Sequence, residues 1–269
     1  MKQEQVAIPG IVGGLGPAAH VELERCLIRE SVRRGADADR DHPLWFLVNA
    51  TDIPDRTASL GDSASHCVDA LTRYGNLLSR AGADFIVIPC NAAHAFYEQV
   101  QPRLEIPWLN LVDLTCEAIV QDHPRAQRIG ILATDGTLRS QIYAKKLAQY
   151  GKQTITPDLG SELQNSLMSA IYDPGWGVKG QSVASLQTLA VIDAVTSWLT
   201  ARGAEVIVTA CTELSVALAG LQQRYSFIDP LQLLAEATLD YSYGLGSVSA
   251  IKKSTRNKAP NLGLSGTRP

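Results

Sequence analysis

The chain has 269 residues, 45% hydrophobic and 19% charged, enough for one large or two ordinary domains with their own cores. A net charge of −3 and a pI near 6.0, with lysines and arginines scattered, give no basic field for nucleic acid. No run reaches the roughly 18 apolar residues of a membrane span, and five cysteines, an odd number, argue for reduced thiols over a disulfide framework.

Met1 to Gln5 carries no signal-peptide n-region, which predicts a cytoplasmic protein. A strand over 6–12 runs into Gly13-Gly14-Leu15-Gly16-Pro17-Ala18-Ala19, and Pro17, favoured at a first helical position, opens a helix over 18–33. The glycines formally fit G-x-G-x-x-G/A, but the acidic residue of a dinucleotide site is not where that fingerprint needs it. Backbone N–H groups around Gly14 and Leu15, offered to a carboxylate, are the better reading. A strand over 45–50 leads into a cleft-rim turn ending at Asp55 and Arg56. There follow a helix over 66–81, strands over 85–89, 108–110 and 128–133, and a helix over 138–150. A second rim loop spans 172–180, then come a helix over 186–202 and strands over 206–210 and 227–228, after which the segment 231–243 is expected to return to the first lobe. The lysine-rich, then Pro/Gly/Ser-rich segment 246–269 reads as a flexible tail. Short apolar runs alternating with longer amphipathic segments make the class α/β, with parallel sheets flanked by helices.

The chain also repeats itself. Gly82-Ala83-Asp84-Phe85-Ile86-Val87-Ile88-Pro89-Cys90 aligns with Gly203-Ala204-Glu205-Val206-Ile207-Val208-Thr209-Ala210-Cys211 at a constant offset of 121. Residues 9–16 against 129–136, and 107–110 against 226–229, fall at almost the same spacing. Two pseudo-symmetric lobes follow, residues 1–112 with 219–245 and residues 113–218, with crossovers near Asp113 and Ala219. Ligands of open parallel sheets sit beyond the carboxyl ends of the strands, so Cys90 and Cys211 would face one inter-lobe cleft. Each thiol also precedes a helix start, whose N–H groups favour a thiolate. Cys90 and His94 stand at i, i+4, but no further ligands complete a zinc set, so no metal is expected. Cys26, Cys67 and Cys116 lie in apolar helical patterns and read as packing residues. Arg56, in a Pro-Asp-Arg-Thr turn, suits bidentate capture of a carboxylate.

Together the motifs at 13–19, Ile53-Pro54-Asp55-Arg56-Thr57-Ala58, Pro89-Cys90-Asn91-Ala92-Ala93-His94-Ala95-Phe96, Ile131-Leu132-Ala133-Thr134-Asp135-Gly136-Thr137, Ala210-Cys211-Thr212-Glu213-Leu214-Ser215 and Ile228-Asp229-Pro230 resemble the aspartate/glutamate racemase family, in particular its PLP-independent aspartate racemases, over roughly residues 6 to 243. The resemblance implies two flavodoxin-like lobes with the amino acid between them, and commonly a homodimer. It implies Cys90 and Cys211 as the two acid/base residues, and Arg56 and Lys179 as partners of the side-chain carboxylate. Asn91, Thr212, Thr134 and Thr137 would hold the α-carboxylate and ammonium. Asp55 and Glu213 would orient or tune the thiols, with His94 in support. One position departs: Ala92 stands where the family usually has threonine, removing a hydroxyl.

The expected activity is cofactor-independent interconversion of L- and D-aspartate, one thiolate removing the α-proton while the other thiol reprotonates the opposite face. Glutamate racemisation, another cysteine-dependent isomerisation or decarboxylation of the superfamily, and non-catalytic binding of an acidic amino acid are the alternatives.

Overall fold

A computed structural model describes residues 4–61, 63–181, 183–218 and 225–246; the expected crossover near Ala219 and the tail from 247 onward lie outside the described residues. The chain opens with β1 (Pro9–Gly13), α1 (Pro17–Arg33), β2 (Phe46–Asn49), α2 (Ala64–Ala81) and β3 (Phe85–Val87). A 3-10 turn over Asn91–Phe96 runs into the short α3 (Tyr97–Val100), and α4 (Leu111–Asp122) leads to β4 (Arg128–Ala133). Then come α5 (Asp135–Ser140), α6 (Ile142–Ala148), β5 (Gln153–Ile155), α7 (Glu162–Tyr172), α8 (Val178–Gln181) and α9 (Leu186–Ala201). The chain continues through β6 (Val206–Ala210), α10 (Thr212–Ser215), β7 (Phe227–Ile228) and α11 (Pro230–Ser242). Among the described residues no helix is long and apolar enough to cross a membrane.

The strands form two parallel sheets, ordered β2-β1-β3 and β5-β4-β6-β7. A bridge between Ile86 and Trp108 extends the first sheet where β7 extends the second, so the two sheets repeat one topology. This is the α/β, two-lobe arrangement that the offset of 121 predicts. The sequence alternation decides which face each residue takes. Phe85 and Val87 join Ile129, Ile131, Val206 and Val208 in a central core closed by Leu111, Ile119, Leu231 and Leu234 of α4 and α11. Ile86, Ile88 and Cys90 turn the other way, into a core with Leu71 and Phe96, as Ile207 and Cys211 do into a core with Leu167, Ile192 and Val195. Cys26 and Cys116 are buried in the central core and Cys67 in the first outer one, as their apolar settings predict.

Several expected elements differ. The first strand begins at Pro9 rather than at 6, because the N–H groups of Val6 and Ala7 both go to the Ser242 carbonyl on α11. The helix expected over 138–150 is two helices, broken at Gln141, whose φ of 58° is the one positive value among the described non-glycine residues. An L-residue in that region interrupts the i to i−4 ladder. Of the strand expected at 108–110 only the Trp108 bridge forms, because Asn110 caps α4, its Oδ1 accepting from the N–H groups of Val112 and Asp113. The sequence reading missed the helices α4, α7 and α11 and the strand β5, and the rim loop over 172–180 contains the end of α7 and the four residues of α8. Phe227–Ile228 pairs with β6, so the second sheet takes this strand, while α11 packs on α1 and α4.

Candidate active site

The carboxyl ends of β3 and β6 bring Cys90 and Cys211 into the wall of one small cleft. Leu15, Arg56, Asn91, Thr134, Thr137, Lys179, Thr212 and Glu213 line it with the two thiols, as do Ala92, Tyr172 and Ala210. Both sulfur-bearing residues are almost covered, Cys90 at 8% and Cys211 at 5% exposure. The lobes meet closely here: a side chain at Gly136, at the start of α5, would collide with Thr57. Thr212 ties the halves together as well, its hydroxyl donating to the Pro89 carbonyl at 3.0 Å.

The two thiols have different neighbours. Cys211 Sγ–H donates to Glu213 Oε2 at 3.1 Å. Burial, followed by the Glu213 charge and that hydrogen bond, pushes the Cys211 thiol well above its usual range. This reverses the expectation of a helix-lowered thiol, because α10 is only four residues long and its dipole is small against burial and a carboxylate. Arg56 stands beside Cys90: burial disfavours the guanidinium, but the Cys90 sulfur and Asp55 hold its pKa above the ordinary value. Lys179 Nζ lies 3.6 Å from Glu213 Oε1 and 4.4 Å from the Tyr172 ring centre. Burial opposes its charge, yet Glu213 and Tyr172 keep the ammonium well above its ordinary pKa. Gly16 has φ of 102° and touches the same carboxylate, so any side chain there would displace Glu213.

Three buried polar atoms of this lining have no hydrogen-bond partner among the described residues: Arg56 Nε, Asn91 Nδ2 and Glu213 Oε1. Buried donors and acceptors are normally paired, because leaving one unmade costs about 1–3 kcal/mol. Two free donors, and an anionic oxygen that Lys179 neutralises without a hydrogen bond, surround the two thiols and suit a small ligand carrying both carboxylate and ammonium groups. The Arg56 fork is braced for it, with Nη1 donating to the carbonyls of Ile53 and Pro54 at 3.2 and 3.0 Å.

Three sequence-based candidates stand apart from the cleft lining. Gly14 offers no free N–H, since it donates to His20 Nδ1 at 3.2 Å; its φ of 85° and the Ala50 backbone 2.6 Å from an added Cβ explain why glycine is required. Asp55 points its Oδ1 at the Ala58 N–H and lines an open outer groove with Thr57, Met168, Ser169, Tyr172 and Asp173. His94 lies beneath the turn after Cys90, its Nδ1 on the Cys90 carbonyl at 2.9 Å and its Nε2 accepting from the Leu111 N–H at 3.1 Å. With both ring nitrogens engaged by backbone, His94 is a clip that holds the Cys90 turn against α4, not a metal ligand. Tyr172 was missed because its sequence signal is that of any half-apolar helix residue; burial pushes its phenol pKa up to about 12.

The His94 clip has a pH signature. Burial lowers its pKa from 6.5 to about 4, so folding favours the neutral ring. The stability this gives is complete above the unfolded pKa and is lost as pH falls from about 6.5 toward 4, a total of about 3 kcal/mol. Urea unfolding should therefore show the wild type losing about 3 kcal/mol more than His94→Gln between pH 7 and pH 4. Equal losses would show that the ring does not titrate on unfolding.

A family model described as Asp/Glu/Hydantoin racemase matches residues 12–238. The broad specificity amino-acid racemase RacX of Bacillus subtilis is 29% identical over 233 residues, covering 86% of this chain and 96% of that protein. The structure of Picrophilus torridus aspartate racemase superposes with a TM-score of 0.73 at 28% identity, covering 88% of this chain and 94% of that one. Glutamate racemase from Francisella tularensis, solved with D-glutamate, shares the fold with a TM-score of 0.61 at 16% identity, over 95% of this chain and 84% of that one.

Proposed function

Because the chain belongs to the Asp/Glu/hydantoin racemase family, we propose that it is an aspartate racemase that moves the α-proton between Cys90 and Cys211 without a cofactor. One observation carries the reading: two buried thiols from equivalent strand ends line one small cleft with a free guanidinium nitrogen, a free amide donor and a lysine.

Glu213 accepts the Cys211 proton, so the resting enzyme carries its acidic hydrogen on Cys211. The base role then falls to Cys90 as thiolate, with the Arg56 cation beside it. In one direction Cys90 removes the α-hydrogen, breaking C–H and forming S–H, and Cys211 gives its hydrogen to the opposite face of the carbanion. Charge and atoms balance, with the thiolate now at Cys211; reaction of the other enantiomer reverses the roles. Charge developing on the α-carboxylate is met by preorganised donors, for which Asn91 Nδ2 and the hydroxyls of Thr134 and Thr137 are the candidates. Arg56 and Lys179 would take the β-carboxylate. In this reading the protein acts in the cytoplasm as a homodimer.

The likeness to RacX and the missing hydroxyl at Ala92 favour a second reading, a racemase of wider amino-acid range. Both are tested by incubating reduced protein with L-aspartate, and in parallel with the amino acids glutamate, alanine and methionine and with maleate, in D₂O without PLP or metal. D-aspartate carrying α-deuterium is the expected product, formed faster than the other D-amino acids. Comparable rates on all four amino acids would establish the wider range, activity on maleate alone would sink the racemase assignment, and aspartate binding without exchange would leave a binding protein.

A further inference from the structure

We propose that Tyr143 is a positioning residue of the cleft, its phenol holding the Asn91 amide with the NH₂ turned toward the substrate. The proposal rests on the racemase reading and adds to it a residue that touches no substrate. Tyr143 lies on α6, on the second-sheet side, and its O–H donates to Asn91 Oδ1, which follows Cys90 at the end of the first sheet. Both residues are buried, and Asn91 lines the cleft whereas Tyr143 does not.

A carboxamide has an acceptor end and a donor end, so fixing one fixes the other. With Oδ1 occupied by the phenol, Nδ2 is the end left for the cleft, and it is the atom without a partner among the described residues. The reverse orientation would set the amide oxygen against a bound carboxylate. Burial holds the Tyr143 phenol pKa well above its usual range, so the hydroxyl remains a donor at any working pH. Tyr143 stands in the first turn of α6, two residues after the break at Gln141. On the other side, Tyr143 borders a pocket with Thr137 and Thr154.

The test is a double-mutant cycle on the full chain, with racemisation of aspartate followed across pH. Tyr143→Phe should raise KM about 10-fold with a smaller fall in kcat, the size of one hydrogen bond to a charged group. The pH profile of kcat should stay unchanged, because neither sulfur is touched. Asn91→Ala should lose more, and the double variant should be no worse than Asn91→Ala alone, since Tyr143 acts only through the amide. Asn91→Asp, which keeps an acceptor for the phenol but removes the donor, should be worse than Asn91→Ala and reads the same point if Tyr143→Phe does not fold. Wild-type kinetics in Tyr143→Phe, multiplicative losses in the double variant, or an Asn91→Asp no worse than Asn91→Ala would overturn the proposal. If the wild type racemises no amino acid, the racemase reading fails instead, and calorimetric binding of aspartate still decides: about 10-fold weaker binding in Tyr143→Phe supports the positioning role and equal binding removes it.

Discussion

Cys90→Ala and Cys211→Ala are each expected to lower aspartate racemisation by roughly 10³-fold or more, near the upper part of the range for removing a positioned acid or base. The loss should be similar in both directions, because each direction uses one sulfur as base and the other as acid. The two variants should differ in what they retain. With one sulfur left, a deuteron can be taken from and returned to a single face only. In D₂O, then, Cys211→Ala should exchange the α-hydrogen of one enantiomer slowly and without inversion, and Cys90→Ala should do so with the other. Nuclear magnetic resonance of each pure enantiomer reads this directly. A single-base mechanism would leave one of the variants racemising within a few-fold of wild type, and that result would overturn the assignment. Folding should survive both changes, since each removes one sulfur at a cleft wall.

Arg56→Met is the second large effect. Arg56 is buried at the cleft, its Nη1 held by two carbonyls and its Nε free, so a carboxylate meeting it would be desolvated and strongly bound. Removing one partner of such a buried charge pair costs about 2–5 kcal/mol, or roughly 30-fold to 4,000-fold in kcat/KM. Arg56 also stands beside Cys90, so part of the loss will fall on every substrate. The informative number is the ratio of kcat/KM for aspartate to that for alanine, in which the shared part cancels. It should fall by about 10²-fold, as expected when a buried charged contact to one substrate is lost. An unchanged ratio would mean that Arg56 serves the chemistry and not the side-chain carboxylate. Lys179→Met is a poorer probe, because it also strips Glu213 of its neighbouring cation.

The two-lobe plan and its two sulfurs were readable before any coordinates, since they rest on short-range information. A buried parallel strand is a run of apolar residues, and two such runs ending in cysteine 121 residues apart need no three-dimensional knowledge to be matched. The elements that were missed fail that test. Helix α4 begins at an asparagine cap inside a segment whose apolar residues also suit a strand, and β5 is three residues of mixed character held only by pairing with β4. The break at Gln141 carries neither the glycine nor the proline that would announce it.

By itself, then, the sequence determined the α/β class, the internal repeat, the position of Cys90 and Cys211 at strand ends, and most of the polar residues around them. Tertiary structure alone decided how those residues differ. It placed a carboxylate on Cys211 and a guanidinium beside Cys90, engaged the Gly14 N–H and both His94 nitrogens with other groups, turned Asp55 outward, and brought Tyr172 to the cleft and Tyr143 onto Asn91 behind it. The reason is physical: local pattern reports which face of its own element a side chain occupies, whereas proton affinity and hydrogen-bond partnership are set by groups tens of residues away that only packing brings within about 3 Å.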